Sequence, residues 1–444
     1  MTVDARAISW HLLMPPGSSY TVRSGPASFR EAVASLSGSG GERVLVSWDE
    51  HAQDLPNLDG YAGLVAMNCR GITARHLRDA GFAYVRRFAV LPALDDPRWF
   101  IPLGTPRVTE GALRINTPFR AAGRAKHLGA RVAARLGVDV LFRHQFILAQ
   151  RQVPPLERAL RLALATPTLE IAMSTGTPGP ARKPTLAALD QTGRWLAFAK
   201  LSCSAQSRQL VAREADCLRR LAAHPTIASH VPQLLFETTF DDTHVVAQRS
   251  LPGTMPGTAL TPGHRRLLDA LGQGPGRPAR ATRFMATLAA RSRVASIPGI
   301  AAARLLELVE RALDGVVVPQ TATHGDFTPW NLRRAGDTLR VFDWEYGELD
   351  GLPLLDEVQY VLQGGLLLHD WTEDEAFAAL MRFRSVQADR TYAPRVVRAL
   401  QVASLLDALL RSDAEGHRHD TPAETVRRNL LRRLAHHLRE DLDA

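Results

Sequence analysis

The alternation of apolar and polar positions breaks the chain into stretches of different character. RVLVSW (43–48), GLVAM (63–67) and FAYVRRFAVL (82–91) are apolar runs of strand length. SFREAVASL (28–36) and ITARHLRDAG (72–81) instead read as helices, the second closing at Gly81. Strands alternating with helices predict a small α/β unit over 1–105. LPALDDPRWFIPLGTP then interrupts the pattern with four prolines.

A basic helical connector is expected over 106–165. Its clearest element runs from Phe119 to Leu136. Ala121, Ala125, Leu128, Val132 and Leu136 share one stripe, and Arg120, Arg124, His127, Arg131 and Arg135 share a neighbouring one. A stripe rich in alanine inserts little area, so the expectation is a solvated helix leaning on a neighbouring domain. Weak association with an anionic lipid surface through 119–136 is the competing reading.

A new unit begins near residue 166. TLEIAMS, a Gly/Pro loop, TLAALD and RWLAFAKLS read as strand, loop, strand, turn and strand. A helix (207–222) follows, then strands around QLLFETT (233–239) and THVVAQRS (243–250). After Pro252-Gly253 the pattern is mostly helical, except for TATHGDFTPWNLRRAGDTLRVFDWE (321–345), where a hairpin is expected. Five antiparallel strands with one helix over 166–252, then a helical lobe over 253–444, is an α+β order. A chain starting near residue 110 is expected to keep that core intact.

At 444 residues, with 45% hydrophobic and 22% charged side chains, two or three globular domains are the expectation. The net charge of +9 is local: residues 106–165 carry eleven basic and three acidic side chains, and the rest is nearly balanced. That distribution argues against nucleic-acid binding, which needs a broader basic face. No apolar run is long enough to span a membrane. Cys69, Cys203 and Cys217 form neither a disulfide framework nor a zinc pattern, and the first residues make a poor secretory signal. A cytoplasmic location is expected. Only Lys126, Lys183 and Lys200 are lysines, beside 51 arginines, so each lysine warrants a check.

The chemistry concentrates in His324-Gly-Asp326-Phe-Thr-Pro-Trp-Asn331, followed after an apolar run by Asp343-Trp344-Glu345. Phosphoryl transfer to a hydroxyl needs a carboxylate to accept the proton, oxygen ligands for Mg²⁺, and positive charge on the nucleotide. Asp326 and Asn331 can face one cavity from the two ends of a tight loop, and Asp343 ends a strand. The bare H-x-D-x-x-x-x-N spacing arises by chance in about one such chain in a hundred. Lys200 ends the strand RWLAFAK, and Glu214 sits on the apolar stripe Leu210, Cys217, Leu218 and Leu221. A carboxylate on such a stripe needs a partner, and Lys200 is the candidate.

HGDFTPWN followed by FDWE resembles the catalytic core of the aminoglycoside phosphotransferase and choline kinase family, relatives of protein kinases. The resemblance covers about residues 166–440. It implies a two-lobed kinase-like fold that uses ATP and Mg²⁺. By that resemblance Asp326 is the catalytic base, Asn331 and Asp343 the Mg²⁺ ligands, Lys200 the phosphate-binding lysine and Glu214 its helix partner. His324 orders the loop. Ala247 to Gly253, including Gln248 and Ser250, resembles the inter-lobe hinge that meets adenine. The phosphate loop departs from the pattern: Gly176-Thr-Pro-Gly179-Pro-Ala-Arg182-Lys183 holds two prolines, which remove N–H donors. Lys183 and Arg182 are expected to supply charge in their place.

The expected activity is therefore transfer of the γ-phosphate of ATP to the hydroxyl of an aminoglycoside-, choline- or sugar-like small molecule. A sugar or glycan acceptor held by the N-terminal unit is a second enzymatic reading. A catalytically weak pseudokinase that binds nucleotide or a partner is the alternative. The acidic cluster His369–Glu375 is expected to cap a helix through Thr372 and Glu375. Thr421 and Glu424 should do the same for the last helix, and Glu348, Asp350, Asp356 and Glu357 lie nearer the catalytic loop. The end of the N-terminal unit is similar to the tail of a Rossmann-like methyltransferase. Only Gly25 stands where a glycine-rich turn would bind S-adenosylmethionine, so a degenerate accessory domain without that cofactor is expected.

Overall fold

The computed structural model describes residues 5–36, 41–51, 56–69, 71–115, 118, 121–138, 142–385, 392–416 and 420–443. They form two compact units, 1–211 with 235–250 and 212–234 with 251–444. The division falls inside one helix and directly after Ser250. The expected boundaries at 105 and 165 both fall within the first unit.

Unit 1 is built on one eleven-stranded sheet ordered β1-β2-β3-β6-β4-β5-β7-β8-β9-β11-β10. Its strands are β1 (Ser19–Val22), β2 (Arg43–Trp48), β3 (Gly63–Met67), β4 (Tyr84–Pro92), β5 (Pro97–Pro102) and β6 (Gln145–Gln150). The series continues with β7 (Glu170–Ser174), β8 (Thr185–Leu189), β9 (Trp195–Leu201), β10 (Leu234–Phe240) and β11 (Thr243–Arg249). The first three pair in parallel, β1 and β2 being joined by the crossover helix α1 (Ala27–Ala34). The bonded pairs from β3 to β9 and from β9 to β11 are antiparallel.

The five kinase-like strands expected from the sequence are thus present as neighbours, but they are not a sheet of their own. Trp99 and Phe100 of β5 pair with Ser174 and Met173 of β7, joining the N-terminal strands to them. Period-two alternation sorts the side chains onto two faces. Val44, Val65, Phe88, Phe146, Ile171, Leu186 and Ala199 lie on one face, under Trp10, Phe29 and Leu160. Ala89, Ala172 and Ala187 lie on the other, under α3 (Pro106–Leu113) and α4 (Ala121–Arg135). Leu64, Ile147 and Leu77 of α2 (Ala74–Asp79) continue the second face. The helix α5 (Pro155–Ala163) supplies Leu156 and Leu160 to the first.

The long helix α6 (Ala205–Ala222) crosses between the units, and α7 (Pro225–Ala228) follows it. Unit 2 packs α9 (Arg283–Val294), α10 (Ala302–Ala312), α11 (Leu355–Leu368), α12 (Glu373–Met381), α13 (Pro394–Ala414) and α14 (Pro422–Asp443) around a leucine-rich core. A second core joins Leu218 and Leu221 of α6, Leu267 and Leu271 of α8 (Pro262–Leu271), Phe327, Trp344 and Tyr360. Three two-stranded ribbons complete it: β12 (Gly276–Pro278) with β13 (Val317–Pro319), β14 (Thr321–Thr323) with β17 (Glu348–Gly351), and β15 (Leu332–Ala335) with β16 (Thr338–Val341). Among the described residues no helix is long and apolar enough to cross a membrane.

Candidate active site

In unit 2 the loop between β14 and β15 is fixed before any ligand is considered. The amides of His324 and Gly325 donate to the two oxygens of Asp356, at 2.7 and 3.0 Å. Asp356 is 3% exposed and sits in the first turn of α11. Burial pushes its carboxyl pKa up, and the His324 ring and the two amides pull against that shift. Each such charge-assisted bond is worth about 1.5–3 kcal/mol, enough to set the loop's shape. The Asp326 amide donates to Nδ1 of His324 (3.2 Å), so Nε2 carries the hydrogen that reaches the Phe342 carbonyl (2.8 Å). Gly325 has φ +78°, and a Cβ there would lie 2.6 Å from the Tyr346 carbonyl, so glycine is required.

Asp326 and Asn331 meet directly. Nδ2 of Asn331 donates to Oδ2 of Asp326 at 2.8 Å and to its carbonyl at 3.0 Å. Gln359, one helical turn after Asp356 on α11, donates to Oδ1 at 3.2 Å. Burial, then the charge of Asp343, raises the Asp326 pKa above the ordinary carboxylate range. The Arg411 guanidinium and the Asn331 amide hold it partly down.

Asp343 lies just beyond β16, with left-handed φ 74° and ψ 54°. That conformation costs a non-glycine residue roughly 1–3 kcal/mol, and it starts the tight turn Trp344–Tyr346. Carboxylate oxygens of Glu214, Asp343 and Glu345 lie within 4.8 Å of one another. Glu214 is fully buried on α6, and Glu345 is 7% exposed. An all-oxygen set of this kind, with Asn331 nearby in sequence and loop, suits a hard divalent cation. Glu214 therefore stands among carboxylates of its own unit.

A narrow pocket runs beside the loop, lined by Arg213, Arg291, Arg411, Glu348, Asp407 and Gln359, with Asp356 behind. Asp407 holds Arg291 at 2.5 Å and Arg411 at 3.0 Å, and Arg411 also lies over the Tyr346 ring at 4.7 Å. Arg213 makes no hydrogen bond or ion pair among the described residues. The acids near the loop are engaged. Glu348 faces Arg283 (3.5 Å), Asp350 faces Arg277 (2.6 Å), and Glu357 accepts from Ser385 (2.7 Å). Farther out, Thr372 and Glu375 close a capping box, and Arg433 holds Glu373 and Asp374.

The remaining sequence-predicted residues lie in unit 1. Lys200 is 9% exposed on β9, opposite Val246 of β11 and Thr185 of β8. Gln248, 4% exposed, stands opposite Phe198 and shares Lys200's face of the sheet. The Ser250 amide donates to the Leu196 carbonyl at 2.9 Å. The 176–183 loop joins β7 to β8 at the end of the hairpin nearest Lys200. Gly176 (φ +81°) passes so close to Lys183 that a Cβ would lie 2.7 Å from its carbonyl, while Gly179 (φ +137°) has open space. Arg182 does not serve as a free cation there. It is 9% exposed, and its guanidinium donates to the Thr175 carbonyl at 3.0 Å and to the Ser9 hydroxyl.

Gln359 was not singled out in the sequence, although its spacing from Asp356 on one helix carried the signal. Arg291 and Arg411 had no signal in a chain so rich in arginine.

No protein-family model and no curated protein matches the chain. Solved structures do align with it. A thermostable mutant of aminoglycoside phosphotransferase APH(4)-Ia in its apo form is 16% identical over 63% of this chain and 98% of its own, with a TM-score of 0.43. A putative fructosamine-3-kinase from Haemophilus somnus 129PT gives 13%, 63%, 96% and 0.40. Plasmodium vivax ethanolamine kinase gives 12%, 60%, 82% and 0.38. The chain is thus similar to solved structures named as kinases of aminoglycosides, fructosamine and ethanolamine.

Proposed function

We propose that the protein is an ATP- and Mg²⁺-dependent phosphotransferase that moves the γ-phosphate of ATP to a small-molecule hydroxyl. The observation that carries this reading is Asp326: a half-buried carboxylate with a raised pKa, aimed by Asn331 and Gln359, on a loop clamped by Asp356. Asp326 accepts the acceptor's proton as its oxygen attacks the γ-phosphorus. The bond to the β-phosphate oxygen breaks, and ADP leaves. Asp343 and Asn331 would hold Mg²⁺, with Glu345 and Glu214 beside them, and the ion would supply charge neutralisation on the phosphates. Lys200 and Lys183 take the nucleotide's negative charge, Gly176 and Gly179 let the loop backbone approach it, and the backbone around Gln248 and Ser250 takes the base.

The narrow pocket beside the loop sets Arg213, Arg291 and Arg411 against Glu348, Asp356 and Asp407, so its charge does not choose the acceptor. A panel of sugar phosphates, sugar acids, neutral polyols and amines would identify it.

Two further outcomes are expected. Lys200→Ala should weaken ATP use by orders of magnitude, and Glu214→Ala should do so as well; unchanged ATP kinetics in either variant would remove that residue from the site. Transfer should also fall as the pH drops through the raised Asp326 pKa, because the base is then protonated. Arg411→Gln removes a charge that stabilises the carboxylate, so the acid limb of the pH–rate profile should move to higher pH. A limb that stays in place would show that Arg411 does not act on Asp326.

The pseudokinase alternative draws on one observation: the phosphate loop holds two prolines, and its Arg182 is engaged internally. Turnover of MgATP in the presence of the acceptor panel separates the two.

A further inference from the structure

The helix α4 packs with the face that its sequence pattern did not favour. Ala130, Ala133 and Ala134 turn to the body of unit 1, where Ala134 joins Ala112, Leu113 and Phe142. Small side chains let α4 lie close against α3. The larger apolar residues are left outside: Leu128 is 59% exposed, Val132 48% and Leu136, just past the helix end, 73%. At a spacing of four they form one row along the helix.

Charge borders that row. Arg124, Arg131 and Arg135 lie on one flank of it, and Lys126, also exposed, lies farther round the helix toward the alanine face. Arg114, Arg131 and Arg135 all turn to Glu110, so one carboxylate faces three guanidinium groups. Arg124 and Lys126 make no ion pair among the described residues. Of the acids in this basic segment, Glu157 is buried with Tyr84, Arg86 and Arg161. Asp139 and Arg120 fall outside the described residues.

We infer that α4 is an interfacial helix that lays its Leu128–Val132–Leu136 row into an anionic phospholipid surface, its basic flank resting on the headgroups. The helix does lean on a neighbour, as the solvated-helix expectation had it, but through Ala130, Ala133 and Ala134 rather than through these three residues. An exposed apolar row alone would suit many partners; a surplus of cations beside it selects a negatively charged surface. Three shallow side chains hold only weakly, so binding is reversible, needs both the row and the charge, and weakens with salt. This inference is independent of the phosphotransferase reading.

The test is co-sedimentation of the full chain with vesicles of phosphatidylcholine, alone or mixed with phosphatidylglycerol. The protein should pellet with the mixed vesicles and remain in solution with phosphatidylcholine alone. Leu128→Glu with Leu136→Glu, and separately Arg124→Gln with Lys126→Gln, should each weaken binding about tenfold. All four residues are exposed, so thermal unfolding should be unchanged, which confirms that both variants are folded. No binding to the mixed vesicles, equal binding to both vesicle types, or binding that survives both pairs of substitutions would overturn the inference. Light scattering that shows a dimer dissolved by the leucine substitutions would assign the row to a second copy of the chain, and would overturn it equally.

Discussion

Asp326→Asn is expected to lower the rate of transfer by about 10²–10⁴-fold, the range a positioned general base contributes, while leaving MgATP binding in place. The surroundings sharpen this expectation. Two amides, from Asn331 and Gln359, donate to the two oxygens of the wild-type carboxylate. An asparagine offers one acceptor and one donor, so either Asn331 or Gln359 faces another N–H group. The variant therefore loses both the base and part of its alignment. Asp326→Ala removes the base without that donor clash, and should be similarly inactive. Asp343→Asn should differ in kind: it removes a proposed Mg²⁺ ligand and should weaken metal-dependent nucleotide binding as well as transfer. Full turnover by both Asp326 variants would reduce the HGDFTPWN loop to a structural turn.

A chain starting at residue 110 is expected to lose its fold, contrary to what the sequence pattern suggests. The cut removes β1 to β5, leaving Met173 and Ser174 of β7 on an unpaired edge. It also strips Trp10, Phe29, Val65, Phe88 and Phe100 from the core that covers Ile171, Leu186 and Ala199. Phe146, Leu148, Ile171, Met173 and Leu186 stay behind and lose that cover; each large side chain returned to water costs about 1.5–3 kcal/mol, so a handful is comparable to the roughly 5–15 kcal/mol that holds a domain together. Arg182 would lose its Ser9 partner at the phosphate loop. The measurement is solubility and cooperative unfolding of the shortened chain; a soluble product with a sharp transition would mean that β7 to β11 stand without β1 to β5.

What could be read in advance was local in sequence. His324 to Asn331 and Asp343 fall within twenty residues, so their order and spacing encode the loop, its hairpin and the strand end before any tertiary contact forms. The Thr372–Glu375 capping box was legible for the same reason; at the last helix Thr421 accepts from the Glu424 amide, but the Glu424 carboxylate accepts from Ser412 and Arg427. The β5–β7 pairing was not, because it joins segments far apart in sequence, and each strand carries the same alternating signature whatever its partner; the expected helical connector between them itself holds β6, which pairs with β3 and β4. The α4 stripe misled for a different reason. Leucine and valine spacing marks an apolar row, but whether that row or the alanine row faces inward depends on how closely α3 approaches. Glu214 shows a third limit. Its burial was legible from the stripe it shares with Leu218, but its proximity to Asp343 and Glu345 depends on the packing of α6 against the turn after β16.

Whether the Asp326 loop transfers phosphate or merely shapes a nucleotide-binding surface decides between the enzyme and the pseudokinase. The most direct measurement follows the γ-phosphate of labelled ATP into a panel of hydroxyl acceptors, with Mg²⁺ present and after its removal by chelation. Label should enter an acceptor with Mg²⁺ present, and none should do so after chelation or with Asp326→Asn. Tight binding of ATP with no label in any acceptor beyond the Asp326→Asn background would contradict the phosphotransferase reading and favour the pseudokinase.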